Sequence, residues 1–292
     1  MIGVGKATSF QNFILASGLP EQTGDPIMSS ALQPEFSIDA LAGLLKGEVA
    51  VVTGAGRGNG AAIAKGIAIA GARVCVADID LQAATQVAHA IDPAGDRAIA
   101  VGWNIADPSQ GDEAANRIRE IFGAASILVN NAGIEAGGRI GDDGFEASWS
   151  RVMDVNLTGT LRAIAALLPD LRKTRGSIVN IASIQSFIAY QGGTSAYATS
   201  KGALAQLTRS LATDLAEDGI RVNAVAPGFF ETAMTQGTRS DPERMARFLS
   251  RTPLQRMGQP DELVGPVVFL GSRLSSYVTG TILPVDGGLL SC

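Results

Sequence analysis

The 292-residue chain is 46% hydrophobic and 17% charged, with 35 glycines, 5% aromatics and a formal net charge of -5. Its length allows one large domain or two small ones with ample material for a buried core. The acidic balance, with basic residues scattered rather than blocked, excludes an electrostatic case for nucleic acid or an anionic membrane.

Residues 1 to about 45 differ from the rest of the chain: Gly18, Pro20, Gly24, Pro26 and Pro34 punctuate them and periodicity is weak. They are expected to form an extension that is partly disordered or surface-lying, with Met28 as an alternative start. Only Lys6 precedes the short apolar patch Phe13 to Leu15, and no run of about 18 apolar residues occurs after it. Neither a secretory signal nor a membrane span is expected, and the protein is read as cytoplasmic. Cys75 sits in an apolar run and reads as a buried hydrophobe, whereas Cys292 is terminal; the pair suggests no disulfide. The single His89, read as a surface residue on the helix after Asp80, leaves no cluster for a metal.

From Glu48 the pattern becomes strand, glycine loop, helix: Val49-Ala-Val-Val52, then Thr53-Gly-Ala-Gly-Arg-Gly-Asn-Gly60, then Ala61 to Ala70. A second strand, Arg73 to Ala77, ends on Asp78 and completes a βαβ unit. Glycines let backbone approach a pyrophosphate at the positive end of a helix. An acid ending the second strand accepts hydrogen bonds from an adenine ribose diol. It also repels a 2′-phosphate, by about 4 kcal/mol per unit charge at close range in an effective dielectric near 20. NAD is therefore expected over NADP, although Arg57 in the loop offers a guanidinium to a phosphate.

Further strands are predicted at Arg97–Val101, Ser126–Val129, Gly176–Ala182, Arg221–Val225 and Thr281–Val285. Helices are predicted over Pro108–Phe122 with Asp107 as N-cap, over Phe145–Leu171 as one piece, and over Glu262–Gly271. Asn130-Asn-Ala-Gly133 comes after the fourth strand and suits a crevice wall, and Asn156, among apolar neighbours in mid-helix, is expected inward and hydrogen-bonded. The stretch from Phe229 to Met257 breaks the rhythm and is read as a mobile substrate lid.

The chemistry is placed between Ser183 and Lys201. Tyr197 opens a helical pattern continued by Leu204, Leu207, Leu211 and Leu215, so Tyr197 and Lys201, four apart, share a face. A free phenol, with a pKa of roughly 10, is a poor base near neutrality, and a fixed positive charge favours the phenolate. Tyr197 could then exchange a proton with a substrate oxygen that Ser183 holds by hydrogen bond.

Together these motifs resemble the short-chain dehydrogenase/reductases, in their short single-domain branch, from about Leu45 to Gly288. The family's T-G-x-x-x-G-x-G loop corresponds to Thr53–Gly60, its N-N-A-G to Asn130–Gly133, and its P-G with a following Thr to Pro227, Gly228 and Thr232. The resemblance implies a doubly wound parallel sheet of Rossmann type, seven strands in a single α/β domain over residues 46–292, assembled as a homotetramer or homodimer. It implies a catalytic set of Asn156, Ser183, Tyr197 and Lys201, with Tyr197 as general acid/base, Lys201 depressing its pKa and Asn156 supporting a water relay. The implied cofactor contacts are Gly54, Arg57, Gly58, Asn59 and Gly60 in the first loop, then Asp78, Ile79, Asn104 and Ile105. They continue through Asn131, Ala132 and Gly133 to Tyr197, Lys201, Pro227, Gly228 and Thr232. Asn104 stands where the family usually has Asp, and Asn59 where it usually has Ile.

The expected activity is hydride transfer between NAD(H) and a small secondary alcohol or ketone. An NADPH-dependent ketone reductase of 3-oxoacyl type and a non-catalytic dinucleotide-binding sensor are the rival readings. Glu135, Gln185, Phe187, Gly193, Phe229, Phe230 and Met234 are the candidate substrate contacts.

Overall fold

The computed structural model describes residues 38–190 and 192–291. Most of the N-terminal extension, Met28 included, lies outside the described residues, as does Cys292. Ile38–Leu41 forms a 3₁₀ turn, and Leu45 is buried in the core with its N–H donating to the Ala70 carbonyl at 2.8 Å. Leu45, at the expected boundary near residue 45, belongs to the packed body.

Seven strands form one sheet: β1 Val49–Thr53, β2 Arg73–Asp78, β3 Ala98–Gly102, β4 Ile127–Asn130, β5 Ser177–Ile181, β6 Arg221–Pro227 and β7 Ile282–Val285. Their order is β3-β2-β1-β4-β5-β6-β7 and every pairing is parallel. β1 reads Val-Ala-Val-Val-Thr with every residue buried, the continuous pattern of a strand covered on both faces.

The helices are α1 Gly58–Ile69, α2 Leu81–Ile91, α3 Gly111–Phe122, α4 Phe145–Met153, α5 Thr160–Thr174, α6 Ser195–Asp214, α7 Gln236–Arg239, α8 Pro242–Leu249 and α9 Val264–Gly271. Ala50 and Val52 of β1 pack with α1, α2 and α9 on one face. Val49 and Val51 point the other way, onto α3, α5 and the end of α6. This is the doubly wound α/β arrangement, and its strand order reverses between β1 and β4, where a crevice opens at the carboxyl ends of the strands.

Two expected helices are corrected. Asp107 does not cap α3, which starts at Gly111 after Gln110; instead its carboxylate accepts from the N–H and Oγ of Ser109 and from Nε2 of Gln110, closing a turn ahead of the helix. The single helix expected over Phe145–Leu171 is interrupted by a π turn, Asp154–Gly159, between α4 and α5. The wider turn carries Asn156 inward. The lid segment contains two short helices, α7 and α8. No helix among the described residues is long and apolar enough to cross a membrane.

Candidate active site

The loop after β1 is pressed against the loop after β4. Asn131 Nδ2 donates to the carbonyls of Thr53 and Gly54 at 3.0 and 2.8 Å, and Thr53 Oγ1 accepts from the N–H groups of Asn131 and Ala132. Gly54 has φ +62° and a Cβ there would meet Ala132 Cα at 2.6 Å, while a Cβ on Gly60 would overlap the Gly54 carbonyl and the Asn131 amide. α1 opens at Gly58 with no side-chain cap from Arg57, which leaves its positive end facing the groove.

Asp78 ends β2, 6% exposed, its Oδ2 accepting from the Gly56 N–H at 2.8 Å and its Oδ1 from the Asp80 N–H at 2.9 Å. The carboxylate is thus held rigidly at the rim of a cavity of about 880 Å³, which Gly54, Gly58, Gly60 and Ile79 also line. The same cavity takes in Arg57, Asn104, Ile105 and Ala132. Asn104 Oδ1 accepts from the Ala106 N–H at 3.1 Å, so the amide holds the loop after β3. A glycine cradle, an uncapped helix start and a fixed carboxylate at the second strand fit a dinucleotide.

A second cavity of about 1000 Å³ holds Ser183, Tyr197, Lys201, Pro227 and Gly228. Asn59, Asn131, Gly133, Thr232 and Met234 line both cavities, so the groove leads directly to the phenol. α6 presents Tyr197 and Lys201 one turn apart. Lys201 is buried, its Nζ donating to the Ile181 carbonyl at 2.6 Å and lying 5.7 Å from the Tyr197 ring centre. Ser183, delivered by the end of β5, caps a short 3₁₀ turn by accepting from the Gln185 N–H at 3.1 Å.

The expected depression of the Tyr197 pKa is corrected. Burial pushes the phenol up to about 12; a hydrogen bond from Ser183 pulls it down and the charge of Glu135 raises it further. Burial likewise brings the Lys201 ammonium down to about 8. Glu135, partly desolvated in the cleft, is itself raised.

Asn156 does not line either cavity. Its Oδ1 accepts from the Ile134 N–H at 2.8 Å, and its Nδ2 donates to the Ile134 carbonyl and to Ser200 Oγ, each at 2.9 Å. Inward and fully hydrogen-bonded as expected, it pins the loop after β4.

Of the substrate candidates, Glu135, Gln185, Phe229, Phe230 and Met234 line the second cavity, and Phe187 and Gly193 do not. Gly193 is engaged instead with Gly138, whose N–H it accepts at 3.1 Å, and Phe187 is 46% exposed elsewhere. Sequence reading missed Tyr190, Arg139 and the α8 face of Arg244, Arg247 and Phe248. The spacing of three between the two arginines was a legible helical signal, but its direction depended on how the lid folds. Cys75 is buried and free, its thiol pushed up by burial, and His89 is exposed.

Fold and loops define a dinucleotide-binding α/β protein. The family model described as Enoyl-(Acyl carrier protein) reductase matches residues 54–290, and the chain belongs to the short-chain dehydrogenase/reductase family, which binds nicotinamide dinucleotides. It is 40% identical to 2-(R)-hydroxypropyl-CoM dehydrogenase of Xanthobacter autotrophicus, over 82% of this chain and 97% of that one. It is also 40% identical to galactitol 2-dehydrogenase of Rhizobium johnstonii, over 84% of this chain and 95% of that one. The structure of a gluconate 5-dehydrogenase from Burkholderia cenocepacia, in complex with NADP and tartrate, superposes with a TM-score of 0.81 at 36% identity, covering 87% of this chain and 99% of that one.

Proposed function

We propose that the protein is an NAD(H)-dependent oxidoreductase that interconverts a secondary alcohol and its ketone. The observation that carries the reading is Tyr197, held with Ser183 and Lys201 in a cavity that opens from the dinucleotide groove. The relatives named above are dehydrogenases of alcohols, which agrees with this chemistry.

A nicotinamide held in the groove would supply or accept the hydride. Tyr197, protonated at neutral pH because burial holds its pKa near 12, gives its proton to the carbonyl oxygen during reduction and takes one from the alcohol during oxidation. Ser183 orients the same oxygen. Lys201, cationic below about pH 8, lies close enough to favour the phenolate once the proton has left, although its charge does not offset burial in the resting site. Asn156 acts through Ile134, holding the wall formed by Asn131–Gly133. Gly54, Gly58, Gly60, Asp78 and Thr232, which line the groove, would hold the dinucleotide. The same reading makes the protein a cytoplasmic homotetramer or homodimer; the half-exposed Leu161 on α5 and the fully exposed Tyr277 offer apolar surface for assembly.

Asp78 favours NAD, since its buried carboxylate repels a 2′-phosphate. Arg57 supports the NADPH alternative: it is exposed, lines the groove and has no ion pair among the described residues. The test is a side-by-side fluorescence titration of NADH and NADPH with wild type and Asp78→Ala. NADH is expected to bind more tightly to wild type and to lose that advantage in the variant. A preference for NADPH of tenfold or more in wild type would overturn the assignment.

A further inference from the structure

On a chain of net charge -5, the cavity around Tyr197 carries the opposite balance: Arg139, Lys201, Arg244, Arg247 and Arg251 line it against a single acid, Glu135. Arg244, Arg247 and Arg251 recur at spacings of three and four along α8 and just past its end, which puts them on one side of the lid. Arg244 is tied to Asp241 at 3.2 Å, and the Arg251 guanidinium lies 5.8 Å from the Tyr190 ring centre. The guanidinium groups of Arg139 and Arg247, which also line the cavity, have no ion pair among the described residues.

The same wall holds two buried polar atoms without a hydrogen-bond partner, Tyr190 Oη and Gln185 Oε1. A buried donor or acceptor left unmade is costly, so a ligand that reaches both lowers the free energy of the site. Arginine clusters recognise planar or tetrahedral oxyanions through paired N–H donors. Phe229, Phe230 and Phe248 add apolar wall to the same cavity but no acceptor for a guanidinium.

Building on the hydride-transfer reading, we infer that the substrate is an anionic hydroxy compound or its ketone. Its carboxylate, sulfonate or phosphate group is seated by Arg247 and Arg139 with help from Arg244 and Arg251. A further hydroxyl donates to Gln185 Oε1, a hydroxyl or ether oxygen accepts from Tyr190 Oη, and the reacting carbon lies at Tyr197.

The test is calorimetric titration of the full chain, with and without NADH, since an alcohol cannot be oxidised in the presence of reduced cofactor. The probes are gluconate, sorbitol 6-phosphate, 2-(2-hydroxypropylthio)ethanesulfonate and neutral sorbitol. At least one anion is expected to bind about tenfold or more tightly than sorbitol, and the tightest identifies which oxyanion the arginines take. Arg247→Gln and Arg139→Gln, both at exposed positions, are expected to erase that margin while leaving sorbitol unchanged. Equal binding of sorbitol and all three anions, or an anion preference untouched in the double variant, overturns the inference. Failure of NADH to bind overturns the hydride-transfer reading alone, because the anion titrations without NADH still decide this one.

Discussion

At Tyr197 two physical effects oppose each other, and the balance predicts how the rate depends on pH. Burial raises the phenol, Ser183 lowers it by hydrogen bonding, and the net value near 12 keeps the acid form at neutral pH. Alcohol oxidation needs the phenolate, so its kcat/KM is expected to climb with pH between about 7 and 10 rather than level off. Ser183→Ala removes the lowering contribution and shifts the profile further to alkaline pH. A flat profile above neutrality in wild type would contradict the assignment, and Tyr197→Phe is expected to abolish turnover while leaving NADH binding intact. Lys201 gives a separate stability prediction. Its folded pKa of about 8 lies below the ordinary lysine value of 10.5, so between those values the unfolded chain holds more protons and stability gains with rising pH. Below about pH 8 the ammonium is a buried charge held by one carbonyl, a net cost. The stability of Lys201→Met relative to wild type should therefore fall as pH rises through that window. The fall is up to about 3 kcal/mol, at roughly 1.4 kcal/mol per unit, and denaturant unfolding at pH 7 and pH 10 measures it.

At the scale of elements, the π turn and the loop after β4 form one unit through Asn156. Asn156→Ala removes three hydrogen bonds and strands both backbone groups of Ile134, for an expected loss of roughly 2–4 kcal/mol. Asn156→Asp keeps the acceptor for the Ile134 N–H but sets a carboxylate against its carbonyl, and should fall between the two in denaturant midpoint. A loss under about 0.5 kcal/mol for the alanine variant would show that the loop is held by other contacts. This unit also marks where sequence reading stopped. The strands were legible because each is a short apolar run, buried at every residue in β1, β4 and β5, and the glycine loops because close backbone approach tolerates nothing larger. The break in the helix was not, since Asn156 is bonded to a residue 22 positions away and nothing in the local periodicity from Phe145 to Leu171 announces that partner. Asp107 misled for the opposite reason: it is a good N-cap by type, but Ser109 and Gln110 beside it capture the carboxylate first. The cationic face of α8 has the spacing of any solvated charge run, and only the fold of the lid turns it over the Tyr197 cavity.

For the whole molecule, the two cavities meet at Asn59, Asn131, Gly133, Thr232 and Met234, residues delivered by the start of α1 and the loops after β4 and β6. A dinucleotide in the groove therefore ties together loops from both halves of the sheet, and it does so only in the folded state. Linkage then requires that binding raise global stability, by about 2.7 kcal/mol at a free ligand concentration of 100 times Kd. For a body of this size that corresponds to a rise in Tm of roughly 5–10 °C. NADH is expected to produce the full shift in wild type and a smaller one in Asp78→Ala at the same concentration. Gly60→Ala should give almost none, because its methyl group would displace the Gly54 carbonyl and the Asn131 amide that shape the cradle. The Gly60 variant also separates two explanations of any shift, since it leaves the arginines of the lid and the catalytic side chains in place. If NADH stabilised Gly60→Ala as strongly as wild type, the dinucleotide would be held somewhere other than the β1–β4 crevice. The assignment of Asp78 to its ribose would then fall with it.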